Sequence, residues 1–445
     1  MNKIKKTIEY GLYLLVFLLP WQTRLILHAG EINGGYFEYG TISLYAVDLL
    51  LLFLIFIFGC QKIIEIKNNP ENIKIKRIWY LLAGLEIFII ISIFNSSDKW
   101  LAVYSYLRFL LGIGIFLLIT SANYNRLKLY YSFIAGIFIE ASYAIWQFIF
   151  QTSLANKWLG LAVHDPKVLG TSVVETSAGI RWLRTYGSLD HPNILGGYLC
   201  FGVLILIILG IQKLFINQRI KNNNYNYIFL LFYYFILVLI FTALFFTFSR
   251  AAWISLLVGL LVLFIILIYQ KDYLAQKIFL KNILFLGIVF FLLFNQYNQL
   301  VLTRISDDTR LEQKSNIERL ESFSVAKKII RNNILFGTGI GNYELAVKDE
   351  VNANQPSWYY QPVHNFYLLI FSEIGIFGGL CIIIIFWEIL ILAWKQKGEK
   401  RVIFVTFLAG LACLGLVDHW LWSLHFGVLL FWLILGIIYD NYLNF

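Results

Sequence analysis

Residues 227–269 read YIFLLFYYFILVLIFTALFFTFSRAAWISLLVGLLVLFIILIY, a stretch in which Arg250 is the sole charged residue. A helix needs about 20 mostly apolar residues to cross a bilayer. The stretch therefore holds two crossings, near 227–247 and 251–269, with only Thr247-Phe248-Ser249-Arg250 left to turn between them. Backbone groups inside lipid must pair within their own segment, so two crossings joined this tightly form a helical hairpin. Arg250 is thereby fixed at the interface or just inside it. An Arg at bilayer depth costs about 2.5–3.5 kcal/mol on insertion scales, and snorkelling relieves part of that. A residue so placed is either a tolerated anchor or a group with an anion to hold.

Working outward, apolar runs of the same length recur along all 445 residues. The chain is 59% hydrophobic and only 14% charged, with a mean hydropathy of +0.72, against about 25% charged in a soluble domain. Twelve spans are expected, near 8–27, 41–60, 78–95, 100–119, 128–150, 195–212, 227–247, 251–269, 280–296, 365–394, 402–417 and 423–440. This predicts an all-α polytopic membrane protein made of a single domain, 1–445. The weak alternating segments of a transmembrane barrel are missing. The first apolar run has no small-residue cleavage site and reads as a span, not a signal peptide.

Lys and Arg set the orientation. Lys3, Lys5 and Lys6 precede the first span. Lys62, Lys67, Lys74, Lys76 and Arg77 fill the second connection, and Arg126 and Lys128 the fourth. Lys213, Arg219 and Lys221, then Lys271, Lys277 and Lys281, then Lys395, Lys397, Lys400 and Arg401 follow in alternate connections. These are cytoplasmic, with both termini inside and a short turn at Asn222–Tyr227. The net charge of +10 is explained by these loops and implies no nucleic-acid partner. Cys60, Cys200, Cys381 and Cys413 lie in apolar runs without CxxC spacing, as small hydrophobes do.

Two long extracytoplasmic loops remain, 151–194 and 297–364, the second partly helical around Ile317–Arg331. Loops of that size usually carry function, and these collect Arg and His. The first ends in Arg181-Trp-Leu-Arg184-Thr-Tyr-Gly187-Ser-Leu-Asp190-His191-Pro192-Asn193. The guanidinium fork fits phosphate in a bidentate way, although Trp182 and Tyr186 also fit a plain interfacial belt. The second bears Arg304, Arg310, Arg319, Lys327, Lys328 and Arg331. It then runs through a Gly-rich stretch, Asn332–Asn342, that lacks the Gly-Lys-Ser/Thr of a P-loop. It closes on Gln361-Pro362-Val-His364-Asn365, ahead of Glu373 and Gly375. A His at the membrane surface can act as a base near neutral pH. Asp418-His419-Trp420 and His425 sit in the last outer turn, where they either orient the others or cap a helix. Asp48, Glu86, Arg108 and Glu140 share one depth in the spans, which suggests a polar cluster with Arg108 and Glu140 as a pair. No Asp-x-Asp and no His/Cys/Asp run has metal-ligand spacing, so no metal is assigned and Arg is expected to do the work of Mg²⁺.

RTYGSLDHPNILGG, TFSRAAW, the Arg-bearing helix leading to NNILFGTGIGNYE, HNFYLLIFSEIGIFGG and DHWLW, in this order, resemble the O-antigen ligase / O-antigen polymerase superfamily of bacterial envelope glycosyltransferases. The resemblance covers about residues 180–440. It implies a GT-C-like helical fold in the plasma membrane. The implied activity is transfer of a glycan from a polyprenyl-diphosphate carrier such as undecaprenyl diphosphate, outside the membrane and without metal or other cofactor. The acceptor would be a glycan, lipid or protein hydroxyl. By motif, Arg184 and Arg250 would bind the diphosphate, and His364 would position or deprotonate the acceptor. Arg319 would assist, although Phe323 stands where the family commonly has Trp. His191, Asn193 and Asn365 match the motifs and would line the substrate site. A polymerase using a second lipid-linked repeat as acceptor, and a lipid flippase or transporter, are the competing readings.

Overall fold

A computed structural model of the chain describes residues 2–68, 76–176, 178–219, 227–306, 309–351, 353–396 and 399–443. Among these, nine helices are long and apolar enough to cross a membrane. They are joined by Asn2–Leu18 and by two shorter apolar helices, Val402–Val417 and His425–Asp440. The turn expected at Asn222–Tyr227 lies, but for its last residue, outside the described residues.

The helix Pro192–Arg219 is the axis of the bundle. Its apolar window is 94% buried, against 22% for Ala46–Asn68 at the rim. Small residues explain the close approach. A Cβ on Gly196 would stand 2.8 Å from the Cβ of Ala252, and one on Gly197 would stand 2.4 Å from the Trp420 ring. The helix that begins at Arg250 and the outer turn that holds Asp418 are thus drawn onto the helix that carries Asn193.

The face expected to lie outside differs from the all-helical expectation. The first span was expected at 8–27, but its helix ends at Leu18. Pro20 cannot continue a helix, and Arg24–His28 is instead a strand paired antiparallel with Ile42–Tyr45. The second span accordingly starts at Ala46, not 41. Between those strands, Glu31–Ile32 and Gly35–Tyr36 form a hairpin, turned at Asn33 and Gly34 with φ of +53° and +77°. Two positive φ values are what a two-residue hairpin turn demands, and Asn-Gly supplies them. Arg24 locks this layer by a two-pronged pair with Glu38, at 2.5 and 3.0 Å. A third small sheet, Val173–Glu175 with Arg181–Leu183, lies in the 151–194 loop.

The helix Tyr273–Ser306 runs on into the expected 297–364 loop, with a kink at Tyr297. The helix Arg310–Asn332 is longer at its start than the Ile317–Arg331 expected. The Gly-rich stretch that follows is a docking segment. The helix Phe366–Lys395 breaks at Gly375, where φ is +68°. The freed backbone groups pair with the stretch: Ile376 N–H donates to Ile334 O at 2.8 Å, Thr338 N–H to Ser372 O at 2.9 Å and Gly339 N–H to Glu373 O at 2.9 Å. The polar cluster expected at one depth is divided among separate partners. Glu140 accepts from Ser188, Arg108 donates to Ser423 O and Asp48 meets His425. The Arg108–Glu140 pair does not form.

Candidate active site

The turn 247–249 organises the site. Phe248 has φ +46°, a left-handed conformation uncommon for a bulky residue. It tips two carbonyls at the end of Tyr227–Phe246 outward, and two arginines take them. Arg184 Nε donates to Thr247 O at 2.8 Å, and Arg304 Nε donates to Phe248 O at 3.2 Å. Orphan carbonyls at a helix end carry partial negative charge, so a guanidinium is a natural cap. Capping leaves Arg184 with a second task. Its Nη2 donates to Asn193 Oδ1 at 2.7 Å, while Nη1 has no protein partner among the described residues. Burial, followed by repulsion from Arg304, pulls its proton affinity well below the ordinary value. A guanidinium does not lose its proton in a protein, so a buried positive charge stands here beside Arg304.

Arg250 opens the helix Arg250–Tyr269. Its Nη2 donates to Asn316 Oδ1 at 3.0 Å and lies 3.5 Å from Glu312 Oε2. Glu312, almost fully buried, also pairs closely with Arg304. Arg319 is more telling. It is partly buried and within electrostatic reach of Arg250, Glu312 and Asp418, yet its guanidinium has no hydrogen-bond or ion-pair partner among the described residues. Four guanidinium groups here face two carboxylates, Glu312 and Asp418.

Asn193 ties the arginines to the histidines. Its Nδ2 donates to Asp418 Oδ2 at 2.9 Å, and its N–H donates to His191 Nδ1 at 3.1 Å. His191 Nε2 meets Ser172 Oγ at 3.0 Å, so its role is to hold the loop. His364 Nδ1 lies 3.6 Å from Asp418 Oδ1, too long for a hydrogen bond, and neither ring nitrogen has a hydrogen-bond partner among the described residues. The His419 ring packs 5.1 Å from that of His364. Burial alone would raise Asp418, but His364, with His419 and His191, holds its carboxyl well below the usual range. Burial pushes His419 down to about 3, so it is neutral. Asn365 caps the helix Phe366–Lys395. Its Oδ1 accepts from Leu368 N–H and its Nδ2 donates to Leu416 O, both at 2.9 Å, and it sets the entrance of the helix beside His364.

A family model described as O-antigen ligase matches residues 235–383. Over that third of its length the chain is similar to the O-antigen ligase family. No curated protein matches it. The matched segment contains Arg250, Arg319, His364 and Asn365. Arg184, His191, Asn193 and Asp418, the other half of the candidate site, come from outside it.

Sequence reasoning missed two things in the candidate site. Glu312 and Asn316, which hold Arg250, looked like ordinary residues of a solvated helix. The trio His364, Asp418 and His419 also escaped a search by spacing, because its members lie far apart in the chain. Their ligand atoms all fall within 4.8 Å of one another, near enough to hold a metal ion. Asp418, however, already accepts from Asn193 and from His419 N–H, and Arg319 is close by. The donors fit an orienting relay better than a cation site.

Proposed function

We propose that this protein transfers a glycan from a polyprenyl-diphosphate carrier to an acceptor hydroxyl on the outer face of the plasma membrane, without metal. The observation that carries the reading is the pairing of two unsatisfied groups. Arg319 makes no hydrogen bond or ion pair among the described residues, and across the site His364 has no hydrogen-bond partner there. Each is complete only with substrate.

The chemistry follows from charge. The acceptor oxygen attacks the anomeric carbon, and the bond from that carbon to the phosphate oxygen breaks. Its electron pair leaves with the diphosphate. Arg184, Arg250 and Arg319 meet charge that grows as the bond breaks, so they stabilise the transition state more than the ground state. With Nδ1–H turned to Asp418, His364 presents Nε2 to take the acceptor's proton, a contribution of typically 10²–10⁴-fold. An apolar hollow of about 410 Å³ lies just below Arg250, lined by Phe241, Phe245, Trp253, Leu260 and Phe290. A prenyl tail laid there would leave its diphosphate level with the arginines.

The test uses purified protein in liposomes with a polyprenyl-diphosphate-linked glycan. Transfer only on addition of a separate acceptor marks a ligase. A ladder of longer lipid-linked glycans marks a polymerase. Movement of the donor across the bilayer without bond formation overturns the enzyme reading in favour of a transporter.

A further inference from the structure

A second groove, of about 220 Å³, opens beside His364. The helix Arg310–Asn332, which carries Arg319, forms one of its walls. Glu312, Asn316 and Arg319 recur at the helical spacing of four and three, and this face meets Arg250 and Arg304. Lys314, Glu318, Glu321 and Val325 lie on another face and line the groove, and Ser315 and Ser322, four and three residues from Arg319, line its edge between the two faces. One helix thus has a diphosphate face and a second binding face, and His364 stands where the two meet.

The far wall is aromatic. Trp358 is 60% exposed and Tyr359 lies beside it; both come from the segment that leads to His364. That segment is held from the N-terminal hairpin: Asn33 Nδ2 donates to Ala353 O at 2.6 Å and to Gln355 O at 2.8 Å. At the base lies Tyr343, fully buried. The charge in the groove is acidic. Glu318 and Glu321 face it, and its one cation, Lys314, lies 3.6 Å from Glu318 and over the Trp358 ring at 5.3 Å. No arginine lines it.

We infer that this groove is the acceptor subsite and that it takes an uncharged saccharide, one pyranose stacked on Trp358 with its hydroxyls on Glu321 and Gln361. This rests on the transferase reading above. An indole beside carboxylate and amide acceptors matches the apolar face and hydroxyl rim of a sugar. A phosphorylated or carboxylated acceptor would meet Glu318 and Glu321 and be repelled. The volume is below the roughly 300 Å³ of typical small-molecule sites, so it suits a terminal sugar unit and not a whole glycan.

The experiment measures transfer in liposomes to soluble neutral saccharides, a hexose and an N-acetylhexosamine, against their phosphorylated forms and against a Ser/Thr peptide. Trp358→Ala and Glu321→Gln should each raise the KM for the neutral saccharide about tenfold, the mark of lost ground-state binding, while polyprenyl diphosphate still binds. Because Trp358 is exposed and Glu321 is on the outer side of its helix, both variants should fold. An unchanged KM in both variants overturns the groove. Preference for the phosphorylated sugar overturns its chemistry, and transfer to the peptide alone overturns the saccharide. If the wild-type protein cleaves no donor at all, the transferase reading fails and the groove has not been the cause.

Discussion

Two histidine–aspartate pairs lie near the outer end of the bundle, and they are built to opposite plans. His425 Nε2 sits 2.6 Å from Asp48 Oδ1, its ring stacked on Tyr45 at 3.7 Å, with both partners almost wholly buried. Asp48 also accepts from Tyr45 N–H. His364 stands 3.6 Å from Asp418, one quarter exposed and facing a groove. The first pair is closed on itself and joins two distant helices to the outer sheet. The second is held open, with space for a third group. The same two residue types make a brace in one place and a reactive pair in the other, and the difference lies in the missing hydrogen bond and the open side.

The sharpest way to break this comparison is to delete each pair. Transfer by His364→Ala should fall by about 10²–10⁴-fold, and by Arg250→Ala about 10²–10³-fold, with the protein still inserted and monodisperse. Asp48→Ala should do the reverse. Leaving a buried group without its hydrogen-bond partner costs about 1–3 kcal/mol, so yield and melting temperature should drop while turnover per folded molecule persists. Near-normal transfer by Arg250→Ala removes the diphosphate clamp. Loss of turnover in a fully stable Asp48 variant would make both pairs catalytic.

A smaller effect separates relay from metal. Excess EDTA should leave transfer unchanged, and Asp418→Asn should lower it by weakening the hold on His364. Activity that disappears with chelator and returns with one divalent cation would reassign His364, Asp418 and His419 as metal ligands.

The bundle was legible because a membrane enforces its rule on every span: twenty apolar residues are visible without knowing any partner. Arg184, Arg250 and His364 stood out as candidates because charge is rare in such a chain. What escaped was decided by contacts across the fold. Asn33-Gly34 is a strong hairpin signal, but it was hidden inside what read as the flank between two spans. Glu312 and Asn316 differ from their neighbours only in facing Arg250. His425 was placed with Asp418 and His419 by nearness in sequence, yet its partner is 377 residues away.

The least effect expected is a pH slope, and it tests whether the site's other histidines are structural. His191 and His419 are each pushed by burial down to about 3, His191 further disfavoured as a cation by Arg184. In the unfolded chain both titrate near their ordinary 6.5. Between these values the unfolded state binds the extra protons, so stability must rise with pH. The contribution is complete above pH 6.5 and is lost as pH falls toward 3, at up to about 1.4 kcal/mol per pH unit for each proton of difference. Asp418, whose folded carboxyl is also held low, loses its contribution in the same direction but only below the ordinary carboxylate range. Melting temperature in detergent should therefore fall from pH 6.5 to pH 4, and the fall should be shallower in His191→Gln and in His419→Gln. A flat wild-type profile would mean that these imidazoles reach water, and the contrast between held and open histidines would then reduce to Asp48–His425 alone.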